Sequence, residues 1–372
     1  MPSQIDGLVE QAQKALESCE PGLAIKFLQR AIQVIGTPSP SHSIQSIDHA
    51  KIYQLLGWAH MEIVNTLTND TPDCVDVPTE MDSAKQAFLH AIKLAPNQDY
   101  STYLYLGQLS IGKESIAFYE LGVRLLDSKI IECKDQQGND DHLQSLQNKM
   151  GSALCSMIEI YMTDCCDEPE AEEKCEEYIQ YAIEKNPTNP EVFQTLASIR
   201  LSQSRPDEAK VCLEKSMDLW YVEPNDDEPF VADPNWPAHP LRISLSKLLM
   251  ETNLHERALA VLQTCQVEDD EEPETWYLFG WCYRQLSENQ PELIEDSSAC
   301  FDSVIGVCDS LLDWFIQRLL FFKTRILTDI NEIKPTLARE KVSRISGSCY
   351  ATTYFRVNEC KGLNSNDIEI KD

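Results

Sequence analysis

The stretch Trp276-Tyr-Leu-Phe-Gly-Trp-Cys-Tyr283 decides the fold. Trp276, Phe279, Gly280 and Tyr283 recur at the spacing of one side of an α-helix. A glycine in an otherwise bulky stripe lets a second helix approach closely. A complementary pattern occurs further upstream. Ala84, Phe88, Ala91 and Pro96 run small, large, small, then proline, and so do Cys175, Ile179, Ala182 and Pro187. The small residues belong where two antiparallel helices touch, and the bulky one fills the gap between them.

The two patterns are the halves of the tetratricopeptide signature, a helical hairpin of about 34 residues. Leu8, Ala12, Ala24, Leu28 and Ala31 supply both halves of one unit. Phe193, Leu196, Ala197, Ala209, Leu213 and Ser216 supply another, and Leu245, Ser246, Ala258, Leu262 and Cys265 a third. Tyr53, Leu56 and Gly57 open a unit that Ala84 completes across an insertion near residues 68–79. Tyr103, Leu106 and Gly107 open a shortened unit. A helix over about residues 142–162 opens the unit that Cys175 completes, and Ser297, Phe301 and Val304 close the one opened by Trp276. These readings predict an all-α fold, a tetratricopeptide-repeat right-handed superhelical solenoid of about seven hairpins over residues 1–308, with a concave binding face.

Further insertions are expected at 127–141, 164–173 and 223–240. The last holds Pro224, Pro229, Pro234, Pro237 and Pro240 and cannot be helical throughout. Its Phe230 and Trp236 are expected to pack back on the repeats. Residues 37–46 read as a Pro/Ser linker, and residues 268–274 as an acidic turn. Beyond 308 the sequence reads as a tail, with a capping helix over 311–327 followed by an irregular segment.

The 372 residues carry 31 Lys plus Arg against 61 Asp plus Glu, a net charge of −30. Residues 309–372 hold 10 basic and 9 acidic residues, so the excess lies in the repeats. Such a chain repels phosphate, which excludes direct nucleic-acid binding and favours a basic protein partner. No secretory leader is expected, because Met1 to Leu16 carries Asp6, Glu10 and Lys14. The 14 cysteines include Cys175, Cys212, Cys265, Cys282 and Cys300 inside helical patterns. There they read as small apolar residues of a reduced protein. Cys165-Cys166 lacks a histidine at ligand spacing, so no metal is expected. The most apolar run, Leu311 to Leu327, is broken by Asp313, Gln317, Arg318, Lys323 and Arg325, which excludes a membrane span. None of the phosphate-loop, dinucleotide, zinc-protease or nucleophile-elbow motifs occurs, and the seven histidines are scattered. Neither a catalytic site nor a cofactor is expected.

Several stretches carry a closer likeness. Ser152 to Asp164, Glu191 to Gln203, Ser216-Met-Asp-Leu-Trp220, Arg242 to Glu251 and Glu274 to Cys282 resemble the fungal tetratricopeptide family of assembly chaperones for large-subunit ribosomal protein L-four. The likeness covers about residues 145–305. It implies a chaperone that holds the basic internal loop of newly made L-four on an acidic concave face. It also implies delivery to the assembling 60S pre-ribosome, passage between cytoplasm and nucleus, and a monomeric chain. Family geometry puts the partner-facing positions on the first helix of each unit. Those are Glu159 (with Met162 beside it), Glu191, Gln194 and Ser198, Met250 and Glu251, then Glu274, Tyr277 and Trp281, with Trp58 and Glu62 from the second unit. The acids would pair with incoming Lys or Arg, and the aromatics would stack on them. A scaffold subunit stays open as an alternative. So does a co-chaperone gripping an acidic tail, although that mode needs a basic clamp, and Gln54, Trp58, Gln108, Gln194 and Ser198 occupy its positions.

Overall fold

The computed structural model describes residues 4–35, 46–70, 77–135, 140–224 and 230–311. These form fourteen helices and no strand. Consecutive helices pair as hairpins: α1 (Gln4–Glu17) with α2 (Pro21–Ile35), α3 (Ser46–Asp70) with α4 (Val77–Leu94), and α5 (Tyr100–Gln108) with α6 (Gly112–Asp135). Next come α7 (Asp140–Met162) with α8 (Ala171–Lys185) and α9 (Pro190–Ser202) with α10 (Pro206–Asp218). The last two are α11 (His239–Glu251) with α12 (His255–Glu268) and α13 (Pro273–Leu286) with α14 (Leu293–Leu311). Residues 1–195 and 196–372 are two compact units, and the division falls within α9.

Each second helix presents the same triplet to its first helix. The triplets are Ala24, Leu28, Ala31; Ala84, Phe88, Ala91; Ser115, Tyr119, Gly122; and Cys175, Ile179, Ala182 in the first unit, all buried. The second unit has Ala209, Leu213, Ser216; Ala258, Leu262, Cys265; and Ser297, Phe301, Val304, each 0% exposed. Where the large member is aromatic, the facing residue is glycine. A Cβ on Gly57 would lie 2.5 Å from the Phe88 ring, and one on Gly280 would lie 2.7 Å from the Phe301 ring. Serines among the small members add hydrogen bonds to the first helix. Ser115 Oγ donates to the Gly107 carbonyl at 2.5 Å, and Ser297 Oγ to the Gly280 carbonyl at 2.8 Å.

Tight turns set the hairpins. Cys19, Ser204 and Asn253 have φ of 56°, 59° and 61° between paired helices. After each, an amide bonds back five residues: Glu20 to Ala15, Arg205 to Arg200 and Leu254 to Leu249, each at 2.8 Å. This is the left-handed helix ending that caps orphan carbonyls and reverses the chain in three residues.

Two expectations need correction. Residues 127–141 are not one loop, because α6 runs to Asp135 and α7 starts at Asp140. The segment is polar in composition, yet Leu126 and Ile130 continue a buried stripe one turn apart, and Lys129 pairs with Glu132 on the solvent side at 2.9 Å. The unit opened by Tyr103 is short only in its first helix, which has 9 residues against 24 in the second. Near 68–79, α3 continues to Asp70 and α4 begins at Val77. The 37–46 linker, apart from Ser46 in α3, and the capping helix, apart from Leu311 in α14, lie outside the described residues.

The proline-rich segment before α11 is held by a buried cation. Arg242 is 1% exposed. Its Nε donates to the Pro237 carbonyl and its Nη1 to Thr264 Oγ1, both at 2.8 Å. It pairs with Glu268, and its guanidinium lies 5.3 Å from the centre of the Trp236 ring. Phe230 rests on Trp236 at 5.5 Å. Arg242→Ala removes every one of these ties and leaves a cavity, at a cost on the order of 3 kcal/mol. The expected outcome is a melting temperature lower by roughly 10 °C and faster proteolytic cleavage between 230 and 238. Arg242→Met, which keeps the stem volume, is expected to lose less than half as much stability.

Candidate partner-binding faces

The expected partner-facing residues all sit on first helices, but in three different situations. In the second unit, α11 and α13 flank an open groove of about 550 Å³ that the start of α12 closes at one end. Glu274, Tyr277, Leu278, Trp281 and Gln285 recur along one face of α13, and Lys247, Met250 and Glu251 along one face of α11. Four of the expected residues, Glu251, Glu274, Tyr277 and Trp281, therefore line one groove, with Met250 beside them.

Their roles within it differ. Glu251 is exposed and forms no ion pair among the described residues. Glu274 is tied across the groove to Lys247 at 2.7 Å. That pair is partly exposed, so it contributes no more than about 1 kcal/mol and yields to a better-placed cation. Tyr277 is only 9% exposed and packs 5.9 Å from the Phe301 ring, so it forms floor and offers no open face for stacking. Trp281 is half-buried and presents its remaining surface to the groove. His255 closes one end, and burial holds its imidazole below the ordinary value, which favours the neutral ring.

In the first unit, Glu159 on α7 is exposed, while Glu191 at the start of α9 is largely enclosed. Ser152 Oγ donates to Glu191 at 2.5 Å, and the Glu191 amide donates to Asn189 Oδ1 at 2.9 Å. Burial pushes the Glu191 carboxyl above its usual range, the Ser152 bond opposes this, and the Glu159 charge adds to the rise. The two acids thus sense one another. Gln194 is 7% exposed and sits in the helix packing. On α3, Trp58 is 37% exposed, and Glu62 lies one turn further along the helix. Met162 is half-buried, as is Ser198 on the part of α9 that belongs to the second unit.

Among the described residues, no three His, Cys, Asp or Glu converge as metal ligands, and no helix is long and apolar enough to cross a membrane. The ten cysteines whose side chains are described are free thiols. Burial raises Cys175, Cys265 and Cys300 to about 11 and Cys282 to about 12, which leaves them protonated and unreactive at neutral pH.

No model of a known protein family matches the chain. It is 32% identical over 272 residues to a probable assembly chaperone of rpl4 from Schizosaccharomyces pombe, which covers 70% of this chain and 74% of that one. A probable assembly chaperone of rpl4 from Emericella nidulans is 33% identical over 291 residues, 76% of this chain and 65% of that one. The solved structure of the assembly chaperone of RpL4 (Acl4, residues 1–338) superposes with a TM-score of 0.62 at 28% identity. That match covers 78% of this chain and 99% of the other.

The chain belongs to the family of rpl4 assembly chaperones.

Within this family member, sequence reasoning missed Lys247, Asn253, His255, Leu278 and Gln285 of the groove. Leu278 and Gln285 had a legible signal, since both fall on the stripe of Glu274 and Trp281. Lys247 had none, because a lysine on a helix face reads as ordinary solvated surface. Its pairing sets up a test. Lys247→Met removes the built-in competitor and frees the Glu274 carboxylate. A lysine-rich peptide is expected to bind the variant about threefold tighter at low salt in a fluorescence titration, and Glu274→Gln in the same background is expected to cancel the gain.

Proposed function

We propose that this chain is a dedicated chaperone of ribosomal protein L-four that engages the basic internal loop of its client with carboxylates on its first helices. The observation that carries the reading is the groove between α11 and α13, where a free Glu251, the exchangeable Glu274 and the half-open Trp281 converge in a relative of rpl4 chaperones. The physics supports it. A ribosomal loop built to bind RNA is basic and poorly folded on its own. Free in the cell, it aggregates or binds the wrong RNA. Carboxylates at Glu159, Glu251 and Glu274 neutralise it, and they do so competitively with phosphate. Trp58, Glu62, Glu191, Gln194, Tyr277 and Trp281 shape the path between those charges.

Handover then needs no fuel. Ribosomal RNA offers the loop a denser array of charge, and the client moves when those contacts outweigh the ones made here. The role is binding rather than catalysis. It places the protein in both cytoplasm and nucleus, as a monomer delivering its client to the 60S pre-ribosome. A co-chaperone reading finds less support, since the one lysine lining the described groove is already held by Glu274.

Calorimetric titration with the client's internal loop tests the reading. Binding is expected to be tight at low salt and to weaken steeply as salt rises. Reversing Glu159, Glu251 and Glu274 to Lys together is expected to weaken it more than about a hundredfold, since each lost pair becomes a repulsion. An absence of binding at every salt concentration would reject the assignment.

Glu191 adds a pH signature. Its carboxyl titrates above the ordinary value of 4.5 in the free protein, and a cation brought close lowers it again. The charged form therefore favours the complex, and the complex binds fewer protons. Affinity rises as pH increases through this window and levels off above it. Titrations just above pH 4.5 in two buffers of different ionisation enthalpy are expected to show proton release, and Glu191→Gln is expected to abolish it.

A further inference from the structure

A second groove, of about 770 Å³, lies in the first unit on the opposite set of helices. Its rims are the second helices α6 and α8, and α7 contributes to its floor. Val123, Leu154, Met157 and Tyr178 give the floor an apolar surface. Glu120 and Asp127 stand on the α6 rim, Glu177 and Glu184 on the α8 rim. Each pair is seven residues apart, about 10 Å along a helix, so both stripes run parallel to the groove.

The two rims are fastened together by tyrosines. The Tyr178 hydroxyl donates to Glu120 at 3.0 Å, and the Tyr181 hydroxyl to Asp127 at 2.6 Å. These bonds fix the carboxylates on the groove edge. Two of the acids have their own cations: Lys174 holds Glu177 at 2.6 Å and Lys185 holds Asp127 at 2.9 Å. Glu120 and Glu184 form no ion pair among the described residues and are exposed. Arg124 is the one cation in the lining. The groove thus pairs an apolar floor with two unneutralised carboxylates on opposite rims. None of the residues assigned above to client binding lies in it.

We propose that this second-helix groove docks a short basic segment of a protein, seating an apolar side chain against the partly exposed Tyr181 and Ile183 while flanking Lys or Arg side chains reach Glu120 and Glu184. Charge complementarity selects this occupant. An acidic or phosphate-bearing ligand would face two carboxylates with no ionic partner, and a neutral apolar one would leave both charges unpaired. The surface is independent of the first-helix reading, and either can fail while the other stands.

The test uses the full chain carrying Glu251→Lys and Glu274→Lys, which silences the first-helix groove. The probe is a fluorescent peptide with two lysines flanking a leucine and an isoleucine, titrated by anisotropy at low salt and then coupled with a carbodiimide. Mass spectrometry is expected to find its lysines joined to Glu120 or Glu184. Glu120→Gln with Glu184→Gln is expected to weaken binding about tenfold. The amide that Glu120→Gln introduces still offers an acceptor to Tyr178, and an unchanged circular dichroism spectrum checks that the fold is kept. Replacing the leucine and isoleucine with serine is expected to weaken binding about threefold through loss of the apolar contact. Three results would overturn the proposal: no saturable binding, couplings confined to other carboxylates, or equal affinity for the double-Gln variant. Equal affinity for the serine peptide would do so as well, reducing the contact to general attraction by an acidic surface.

Discussion

The contact between a small–large–small triplet and the first helix of the same hairpin is what every other feature depends on. At Phe88 and Phe301 the ring lies so close to the partner backbone that glycine alone fits opposite. At Leu28, Leu213 and Leu262 the large member is smaller, and alanine or serine takes the glycine's place in the repeat, at the buried Ala12, Ala197 and Ser246. Extra methylenes at a site this full cost about 1–3 kcal/mol. Size is therefore traded between the two helices within each hairpin. Such an exchange of size lets a repeat tolerate sequence drift.

That constraint also decides where charge can go. One face of each first helix is consumed by its own second helix and another by the neighbouring hairpin. Tyr277, Thr275 and Cys282 show this on α13, at 9%, 0% and 0% exposure. What is left is a narrow strip, and the acids at Glu159, Glu251 and Glu274 fall on it. Glu191 sits at the strip's edge, where burial and the Ser152 hydroxyl act on one carboxyl in opposite directions. A carboxylate there is costly in the free protein and becomes favourable beside a cation. Glu191 is thus an acid that the folded protein alone does not favour ionising.

The fold was legible because the triplets are local. Ala84–Phe88–Ala91 and Cys175–Ile179–Ala182 announce themselves in eight residues each. Ser115–Tyr119–Gly122 does the same work but escaped notice, since serine, tyrosine and glycine in a helix read as polar or breaking residues. It succeeds because Ser115 finds the Gly107 carbonyl and Gly122 admits the Leu104 side chain, neither of which a linear pattern reveals. The stretch from Asp127 to Asp135 misled for a related reason. Its composition is that of a loop, while its one buried residue, Ile130, keeps helical phase with Leu126 just before it. On α11 and α13, periodicity picked out residues that line one groove. It did not reveal that Lys247 already holds Glu274 or that Phe301 claims Tyr277, because both facts arise between helices distant in sequence.

Net charge and local pairing act on different steps of recognition. A charge of −30 draws any basic chain toward the surface and raises the encounter rate, an effect that salt screens over about 10 Å. It says little about where the chain comes to rest, since partly exposed pairs contribute at most about 1 kcal/mol each. Residence needs contact that excludes water, and the structure supplies that where carboxylates border apolar surface. Trp281 beside Glu251 is one such place, and Ile183 in the groove that Glu120 and Glu184 border is another. In each, a lysine or arginine can lay its methylene stem on the apolar residue while its head meets the acid. Arg242 displays the same arrangement in finished form, with its guanidinium over Trp236 and its charge on Glu268. The protein thus holds its own proline-rich segment by a cation laid over an aromatic ring and paired with an acid.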